Sequence, residues 1–344
     1  MLKPRFVFSI LFLQLFSLLF LSGCSLKLPK LFPKPASISD LPAEALFIDK
    51  DAIYNQTLAL IQSAQTSIYV EQAEFDDPNL IQLLLTKSRS GVDVRILLDQ
   101  WQKANRATLD QLKSQNVSIQ YYPAQKGQIN HTKYLIVDQK VAMIYGPPWT
   151  IDGMLTHSLA VKLSGRSAWK AATIFSKDWE FTTTFPLNVP KTSPLPDDKI
   201  VLATNANVKQ QLTEQISAST KSIWIEISEI SETTDDDLIQ ALIDAAEKGR
   251  DVRLILERPA TTKPSVTIDK LTANKILIRY FPSETQQLGM HLAIFDNSTF
   301  LLNSSDWTHY SFVANHEFSI TVPSPLASAK LGNMFIQDWG KSTK

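Results

Sequence analysis

The chain has 344 residues, of which 34 are basic and 34 acidic, and it contains a single cysteine. This length fits two domains or one large domain. The balanced charge lacks the basic excess on which nucleic-acid binding usually depends, and one cysteine excludes an intrachain disulfide or a thiolate metal site.

The first 23 residues are typical of a signal peptide, with the basic start "MLKPR" and the apolar run "FVFSILFLQLFSLLF". The following "LSGC" resembles the bacterial lipoprotein signal, in which the cysteine is lipidated and becomes the new terminus. We therefore expect cleavage after residue 23 and a lipid anchor on Cys24. An uncleaved membrane anchor is the alternative, although the run is slightly short for spanning. Both place the rest of the chain in the cell envelope, extracytoplasmic and tethered to a membrane.

Residues 24–43 contain four prolines and three lysines, which predicts a stiff spacer with its lysines toward anionic lipid. Cleavage of residues 1–23 would remove Lys3 and Arg5 and leave 32 basic against 34 acidic residues, a net charge of −2. Nucleic acid is therefore not a favoured partner.

Two segments of the chain follow the same order of elements. Residues 57–99 and 211–257 each predict helix, strand, helix and strand, from "TLALIQSAQ" and "QLTEQISAST" to the buried strands "VDVRILLD" and "RDVRLILE". In the first segment "PNLIQLLLTKSRSG" predicts an amphipathic helix that ends at Gly91. Identities recur at a steady offset, among them Glu71 with Glu226. The chain therefore repeats itself.

The repeat extends to the end of each half, where "YLIVD" matches "LAIFD" and "FSKDW" matches "FIQDW". Residues 183–199 have the proline-rich composition of a linker. We therefore expect a tandem duplication, with residues 44–182 and 200–344 as two α/β halves related by a pseudo-twofold axis. Each half should contain a mixed β-sheet flanked by helices.

The stretch "NHTKYLIVD" places His131 and Lys133 two positions apart on a predicted strand, and therefore on one face. An imidazole beside a fixed positive charge is suited to attack on a phosphate. With the "GPPWT" that follows, the stretch resembles the phospholipase D superfamily signature H-x-K-x(4)-D and its G-S-x-N element. The resemblance covers nearly everything from Ala43 to the C-terminus.

The resemblance implies that two copies of the motif meet at one site. One histidine attacks the phosphodiester and forms a phosphohistidine, while the other protonates the leaving alkoxide and then activates water. The lysines hold the non-bridging oxygens. No cofactor and no metal is required, and the sequence shows no obvious metal-ligand cluster.

The second copy of the motif departs from this pattern. In "GMHLAIFD", Gly289 stands where the histidine should be and His291 where the lysine should be. Reading His291 as the second catalytic histidine would require a two-residue deletion, which the equal spacing before the two motifs argues against. We expect His291 to be a polar residue of the remnant pocket that contacts substrate.

The resemblance assigns further residues to the site. Ser304 and Ser305 remain as hydroxyl donors in the second copy, followed by an intact N-H-E element, Asn315-His316-Glu317. We expect the two serines and Asn315 to bind substrate. In the family the orienting carboxylate comes from the opposite half, so Glu317 should hold His131. The first copy has Thr156-His157-Ser158 in that place, so one histidine–carboxylate pair survives and the other is lost.

Asp138 completes the H-x-K-x(4)-D motif, and for this reason we group it with the catalytic residues His131, Lys133 and Glu317. It also recurs as Asp296 in the disabled copy, which suggests a structural role such as hydrogen bonding at a strand end.

Two hypotheses of different kinds follow. The first is a membrane-tethered, exported phospholipase D-like phosphodiesterase, with His131 as nucleophile and a phospholipid headgroup or another phosphodiester as substrate. The second is a catalytically impaired pseudoenzyme that binds phosphate or phospholipid. An envelope nuclease is a further alternative, and a homodimer could pair first copies in trans.

Overall fold

The computed structural model describes residues 39–190, 195–258, 265–282, 284 and 286–344. Cys24, the predicted signal peptide and most of the predicted spacer lie outside these residues, so the lipid anchor stays a prediction. None of the helices in the described ranges is both long and apolar enough to cross a membrane.

The first half forms one seven-stranded mixed sheet. Its strands are β1 (Leu46–Ile48), β2 (Ser67–Gln72), β3 (Asp93–Asp99), β4 (Ser118–Tyr122), β5 (Tyr134–Val137), β6 (Val141–Tyr145) and β7 (Leu159–Ser164). Their order is β1-β7-β6-β5-β2-β3-β4. The pairs β2–β3 and β3–β4 are parallel, and the other neighbours are antiparallel.

Four α-helices accompany this sheet: α1 (Asp49–Ser63), α2 (Pro78–Arg89), α3 (Asn105–Ser114) and α4 (Gly165–Thr183). Helix α2 begins where Asp77 accepts hydrogen bonds from Asn79 N and Leu80 N, with Pro78 in its first turn. The chain leaves α2 through Gly91 at a φ of +91°, a conformation that favours glycine. The helix therefore ends where the sequence predicts.

The second half repeats the arrangement. Its strands are β8 (Val201–Thr204), β9 (Ser222–Ile227), β10 (Asp251–Glu257), β11 (Leu277–Phe281), β12 (His291–Phe295), β13 (Thr299–Asn303) and β14 (Phe318–Val322). Its helices are α5 (Ala206–Ala218), α6 (Asp236–Glu247), α7 (Val266–Ala273), α8 (His309–Val313) and α9 (Pro325–Lys341). The strand order β8-β14-β13-β12-β9-β10-β11 matches that of the first half strand for strand. The predicted tandem duplicated α/β fold is confirmed.

Side-chain alternation along the strands builds three cores. In β5, Leu135 and Val137 pack into a core of the first half, while Tyr134 and Ile136 face a core shared by both halves. The second half has its own core around α5 and α6. The shared core draws on both sheets and on α4 and α9, so burial of apolar surface holds the halves together.

The segments that precede the two motif strands cross to the opposite half. Residues 129–131 exchange backbone hydrogen bonds of 2.9 Å with His316, and residues 287–289 exchange bonds of 2.8 Å with His157. The two pairings are equivalent in the repeat. Each half therefore delivers its N-H-E element, or the remnant of it, to the motif of the other half.

The folded region begins slightly earlier than the sequence predicts. Leu41 is buried in the shared core, and Ser39 N donates a hydrogen bond of 2.7 Å to Pro323 O. The last residues of the predicted spacer, 39–43, therefore belong to the fold.

Candidate active site

His131 and Glu317 come from opposite halves and form a close pair. His131 Nδ1 lies 2.6 Å from Glu317 Oε1. The Glu317 side chain is fully buried, whereas 23% of the His131 side chain is exposed. The contact predicted from the sequence is present. A carboxylate that accepts the Nδ1 proton holds the imidazole in one orientation and leaves Nε2 as the basic nitrogen.

The other oxygen of Glu317 is held by two serines. Ser304 Oγ and Ser305 Oγ both donate to Glu317 Oε2, the latter over 2.9 Å. Both serines line the same cleft as His131. The sequence assigned their hydroxyls to substrate, and the structure corrects this, because the hydroxyls are already bonded to the carboxylate. They position Glu317.

Lys133 enters the site from the same stretch as His131. Its Nζ donates to His131 O over 3.2 Å and also to Ser304 O. Burial lowers the pKa of Lys133 to about 8, against the opposing effect of the nearby carboxylates Glu317 and Asp306. In its charged form this ammonium group can bind a phosphate oxygen.

The strand register shows which residues correspond in the two motifs. In β5 the residue after Lys133 pairs with Glu71, and in β12 the residue after His291 pairs with Glu226. Because these two glutamates are equivalent in the repeat, His291 takes the position of Lys133 without a gap. The gap-free alignment made from the sequence agrees with this register.

His291 nevertheless lies in the cleft with His131, Lys133 and the serines, in a space of about 300 Å³. Its Nδ1 is 3.3 Å from Asp306 Oδ1, within ion-pair range, although the angles do not make a hydrogen bond. Asp306 Oδ1 also accepts from Ser228 N over 3.0 Å. The sequence expected the second histidine–carboxylate pair to be lost, whereas the structure places a carboxylate beside the displaced imidazole.

Two residues of the predicted site lie elsewhere. Asn315, predicted to bind substrate, accepts a hydrogen bond of 3.0 Å from Ile129 N and lines a different cavity, so its side chain tethers the segment before the motif. Asp138, grouped with the catalytic residues, lies beyond the far end of β5. Its carboxylate accepts backbone hydrogen bonds of 2.7–3.1 Å from residues 65–67. The structural interpretation of Asp138 is confirmed and its catalytic assignment is wrong.

Glu74 is a cleft residue that the sequence did not assign to the site. It lies beside Lys133 and His131, and burial followed by the charge of Asp76 raises its pKa. The available signal was its identity with Glu229 in the repeat. A residue that recurs in both halves can be a carboxylate at a strand end or one that lines the cleft. Only the structure shows that Glu74 lines the cleft.

The structure also forms two buried histidine–carboxylate clusters outside the cleft, which the sequence did not reveal. In each cluster, a histidine of one half lies close to two carboxylates of the other half. One carboxylate is a glutamate, and the other is the aspartate of the repeated "FSKDW" or "FIQDW" segment. The clusters are His316 with Glu71 and Asp178, and His157 with Glu226 and Asp338. Burial alone would lower the histidine pKa values, but the neighbouring carboxylates raise both to about 10.

The cardiolipin synthase, PLD-like domain family matches residues 57–179 and 212–339, one match in each half. A probable cardiolipin synthase of Bacillus subtilis is 24% identical over 321 residues, covering 83% of this chain and 63% of that relative. A cardiolipin synthase of Clostridium perfringens strain SM101 is 22% identical, over 87% of this chain and 71% of its own length. The chain thus spans less than two thirds of the Bacillus relative.

Solved structures share the fold at low identity. A phosphatidylserine synthase of Haemophilus influenzae superposes with a TM-score of 0.66 at 13% identity, covering 88% of this chain and 89% of that one. A polyphosphate kinase of Porphyromonas gingivalis superposes with a TM-score of 0.59 at 12% identity, covering 86% of this chain and 50% of the kinase. The expected resemblance is confirmed by the two family matches, and the chain belongs to the cardiolipin synthase, PLD-like domain family of the phospholipase D superfamily.

Proposed function

We propose that this protein is a phospholipase D-type phosphodiesterase that acts on phospholipid headgroups through a phosphohistidine at His131. The observation that carries the proposal is the 2.6 Å contact between His131 Nδ1 and Glu317 Oε1, in a cleft that also contains Lys133 and His291. Family membership and relatives named cardiolipin synthase support a phospholipid as the substrate class.

In the first step His131 Nε2 attacks the phosphorus. A P–N bond forms, and the P–O bond to the headgroup breaks. Glu317 stabilises the imidazolium through its Nδ1–H, and the Lys133 ammonium binds a non-bridging oxygen. The leaving oxygen takes a proton from the protonated imidazole of His291, the second imidazole that lines the cleft.

In the second step the neutral His291 removes a proton from an incoming hydroxyl. The hydroxyl oxygen attacks the phosphohistidine, the P–N bond breaks, and His131 is regenerated. Water as the acceptor yields phosphatidic acid, whereas a lipid hydroxyl yields a transferred phosphatidyl group. Both outcomes use the same covalent intermediate, so product analysis distinguishes hydrolysis from transfer.

Trapping of the intermediate tests the proposal. The full chain in detergent is mixed with phosphatidylglycerol labelled in its phosphate, quenched in base, and mapped by mass spectrometry. We expect an acid-labile, base-stable adduct on His131 that is absent in His131→Ala. No adduct and no turnover above that of His131→Ala would overturn the enzymatic proposal, and phosphate binding weakened by Lys133→Ala would then favour the pseudoenzyme.

The role of His291 is tested with two leaving groups. A choline ester needs a proton on its leaving oxygen, whereas a p-nitrophenyl ester does not. His291→Asn should reduce cleavage of the choline ester by about 10²–10⁴-fold, the usual contribution of a general acid, and leave the p-nitrophenyl ester nearly unchanged. Glu74→Gln is the matched comparison, since Glu74 is another carboxyl group that lines the cleft with His131. The same dependence in Glu74→Gln and not in His291→Asn would overturn the assignment.

We also propose that the chain is an extracytoplasmic lipoprotein, anchored in the cell envelope through lipidated Cys24. The "LSGC" sequence after the apolar run supports this. Expression in bacteria with a labelled fatty acid should give a labelled membrane protein, and Cys24→Ala should lose both the label and cleavage after residue 23. A Cys24→Ala chain that is still labelled would contradict the proposal.

A further inference from the structure

The His157 cluster differs from its counterpart in how its glutamate is satisfied. In the His316 cluster, Glu71 accepts hydrogen bonds from Asn130 Nδ2 at 2.8 Å and from Tyr134 Oη at 2.6 Å. The equivalent positions beside Glu226 are Leu288 and Leu292, which have no polar side-chain atom. Glu226 therefore lacks both of the side-chain donors that Glu71 has.

Glu226 is consequently a fully buried carboxylate whose two oxygens have no hydrogen-bond partner among the described residues. Burial raises the pKa of Glu226 to about 8, against the opposing charge of His157, because an ionised carboxylate without hydrogen-bond donors costs several kcal/mol. The side chain points into the cluster, with Oε1 3.7 Å from His157 Nε2. The protonated His157 imidazole directs its Nε2–H to Asp338 Oδ2 over 3.2 Å and leaves Glu226 without a partner among the described residues. A metal ion that replaces this proton would supply the contacts that Glu226 lacks.

The other two side chains are arranged as metal ligands would be. His157 Nε2 lies 3.2 Å from Asp338 Oδ2, and the nearest donor atoms of the three residues lie within 4.8 Å of one another. With metal–ligand bonds of about 2.1 Å, ligand atoms in a tetrahedral shell are about 3.4 Å apart. The measured 3.2 and 3.7 Å bracket that separation.

The far side of the imidazole is also arranged for this role. His157 Nδ1 donates to Asp49 Oδ1 over 2.7 Å, and the ring stacks on Phe281 with centroids 5.1 Å apart. A metal-ligating histidine typically donates its second ring N–H to a carboxylate, which fixes the tautomer and raises the basicity of the ligating nitrogen. Asp49 would serve this purpose and hold Nε2 toward Glu226 and Asp338.

We infer that His157, Glu226 and Asp338 form a binding site for a divalent transition-metal ion of the zinc class. One imidazole and two carboxylates suit this class, and they balance its charge. A cavity of about 580 Å³ is lined by His157, Asp338 and Asp49, and it provides a route for the ion and room for a water ligand. Since the three ligands come from both halves, the ion would join the halves outside the catalytic cleft.

Stoichiometric binding of Zn²⁺ tests the inference. The full chain without a histidine tag is stripped with a chelator, dialysed, and titrated with Zn²⁺ alone by calorimetry. We expect one equivalent bound, accompanied by an increase in the melting temperature. Asp49→Asn should weaken binding by about 10–100-fold, as loss of a carboxylate behind a histidine ligand does. Glu226→Gln should weaken it further.

The pseudo-equivalent cluster provides the control. Glu71→Gln makes the same chemical change where the carboxylate already has two donors, and it should leave Zn²⁺ binding intact. Thermal unfolding in chelator checks that each variant is folded. The inference is overturned if no equivalent of Zn²⁺ binds, if binding survives Glu226→Gln unchanged, or if Glu71→Gln is the variant that loses it.

Discussion

Gly289 packs against Thr156 so closely that its position has no room for a side chain. A Cβ atom at Gly289 would lie 2.8 Å from Thr156 Cβ and would collide with Thr156 Oγ1. Gly289 N also donates to His157 O over 2.8 Å, which holds its backbone in place. The structure thus closes the position that the second catalytic histidine would occupy in the motif, and a histidine restored there alone should not return a second half-site.

Substitution of Gly289 measures this contact. We expect Gly289→Ala to lower the free energy of unfolding by about 1–3 kcal/mol, as overpacking usually does. Thr156→Gly removes both obstructing atoms, so the double variant should be less destabilised than the sum of the two single variants. Urea unfolding measures the coupling, and Gly340→Ala, where an added Cβ meets no neighbour within 4 Å, is the control. Additive single effects would contradict the packing explanation.

Glu317 is expected to act on catalysis through the orientation of His131. Glu317→Gln keeps the shape of the side chain but loses the charge that accepts the Nδ1 proton. We expect a fall in kcat of about 10²–10⁴-fold with little change in KM, because the carboxylate stabilises the imidazolium formed during attack. Ser305→Ala removes one of the two serine donors to Glu317 and should have a much smaller effect. Equal effects of both variants on kcat would argue against this role.

Lys133 should set the alkaline limit of activity. Its pKa in the folded protein is lowered to about 8, and only the charged amine binds an anionic phosphodiester strongly. We therefore expect kcat/KM, which reports the free enzyme, to fall as the pH rises through about 8. Lys133→Arg keeps its charge over this range, so its alkaline limb should move to higher pH even if its maximum activity is lower. An unchanged alkaline limb would show that another group titrates.

His316 should make stability depend on pH. The imidazole stacks on Tyr122 and lies 3.4 Å from Asp178 and 3.5 Å from Glu71, and its folded pKa is raised from 6.5 to about 10. A raised folded pKa means that the folded state binds more protons between these values. The contribution of this group is complete below pH 6.5 and is lost as the pH rises through about 10.

The His316→Gln variant tests this contribution. It leaves two buried carboxylates without their cation, which typically costs about 3–5 kcal/mol at neutral pH. Its free energy of unfolding should also change less between pH 7 and pH 10 than that of the wild-type protein. Denaturant unfolding at several pH values provides the comparison, and parallel curves for the two proteins would contradict the assignment.

Much of the architecture could be predicted because it depends on local patterns. Helix and strand periodicity, the glycine at 91 and the offset identities depend only on neighbouring residues, so they revealed two equivalent α/β halves. The signature identified His131, and the family's cross-half arrangement indicated Glu317 as its partner. The structure contains the contact between these two side chains. The sequence likewise placed the loss of the second motif's histidine at Gly289, and the register of β12 agrees with that gap-free alignment.

The sequence by itself therefore determined the duplication, the position of the candidate site and the asymmetry between its two halves. Only the tertiary structure decided that Asp306 lies beside His291, that the serines hold Glu317, and that Asn315 faces away from the cleft. It also decided that Glu226 meets His157 without a hydrogen-bond donor. The physical reason is that these contacts join residues far apart in the chain. Their distances depend on how the two sheets pack against the shared core, which no local pattern encodes.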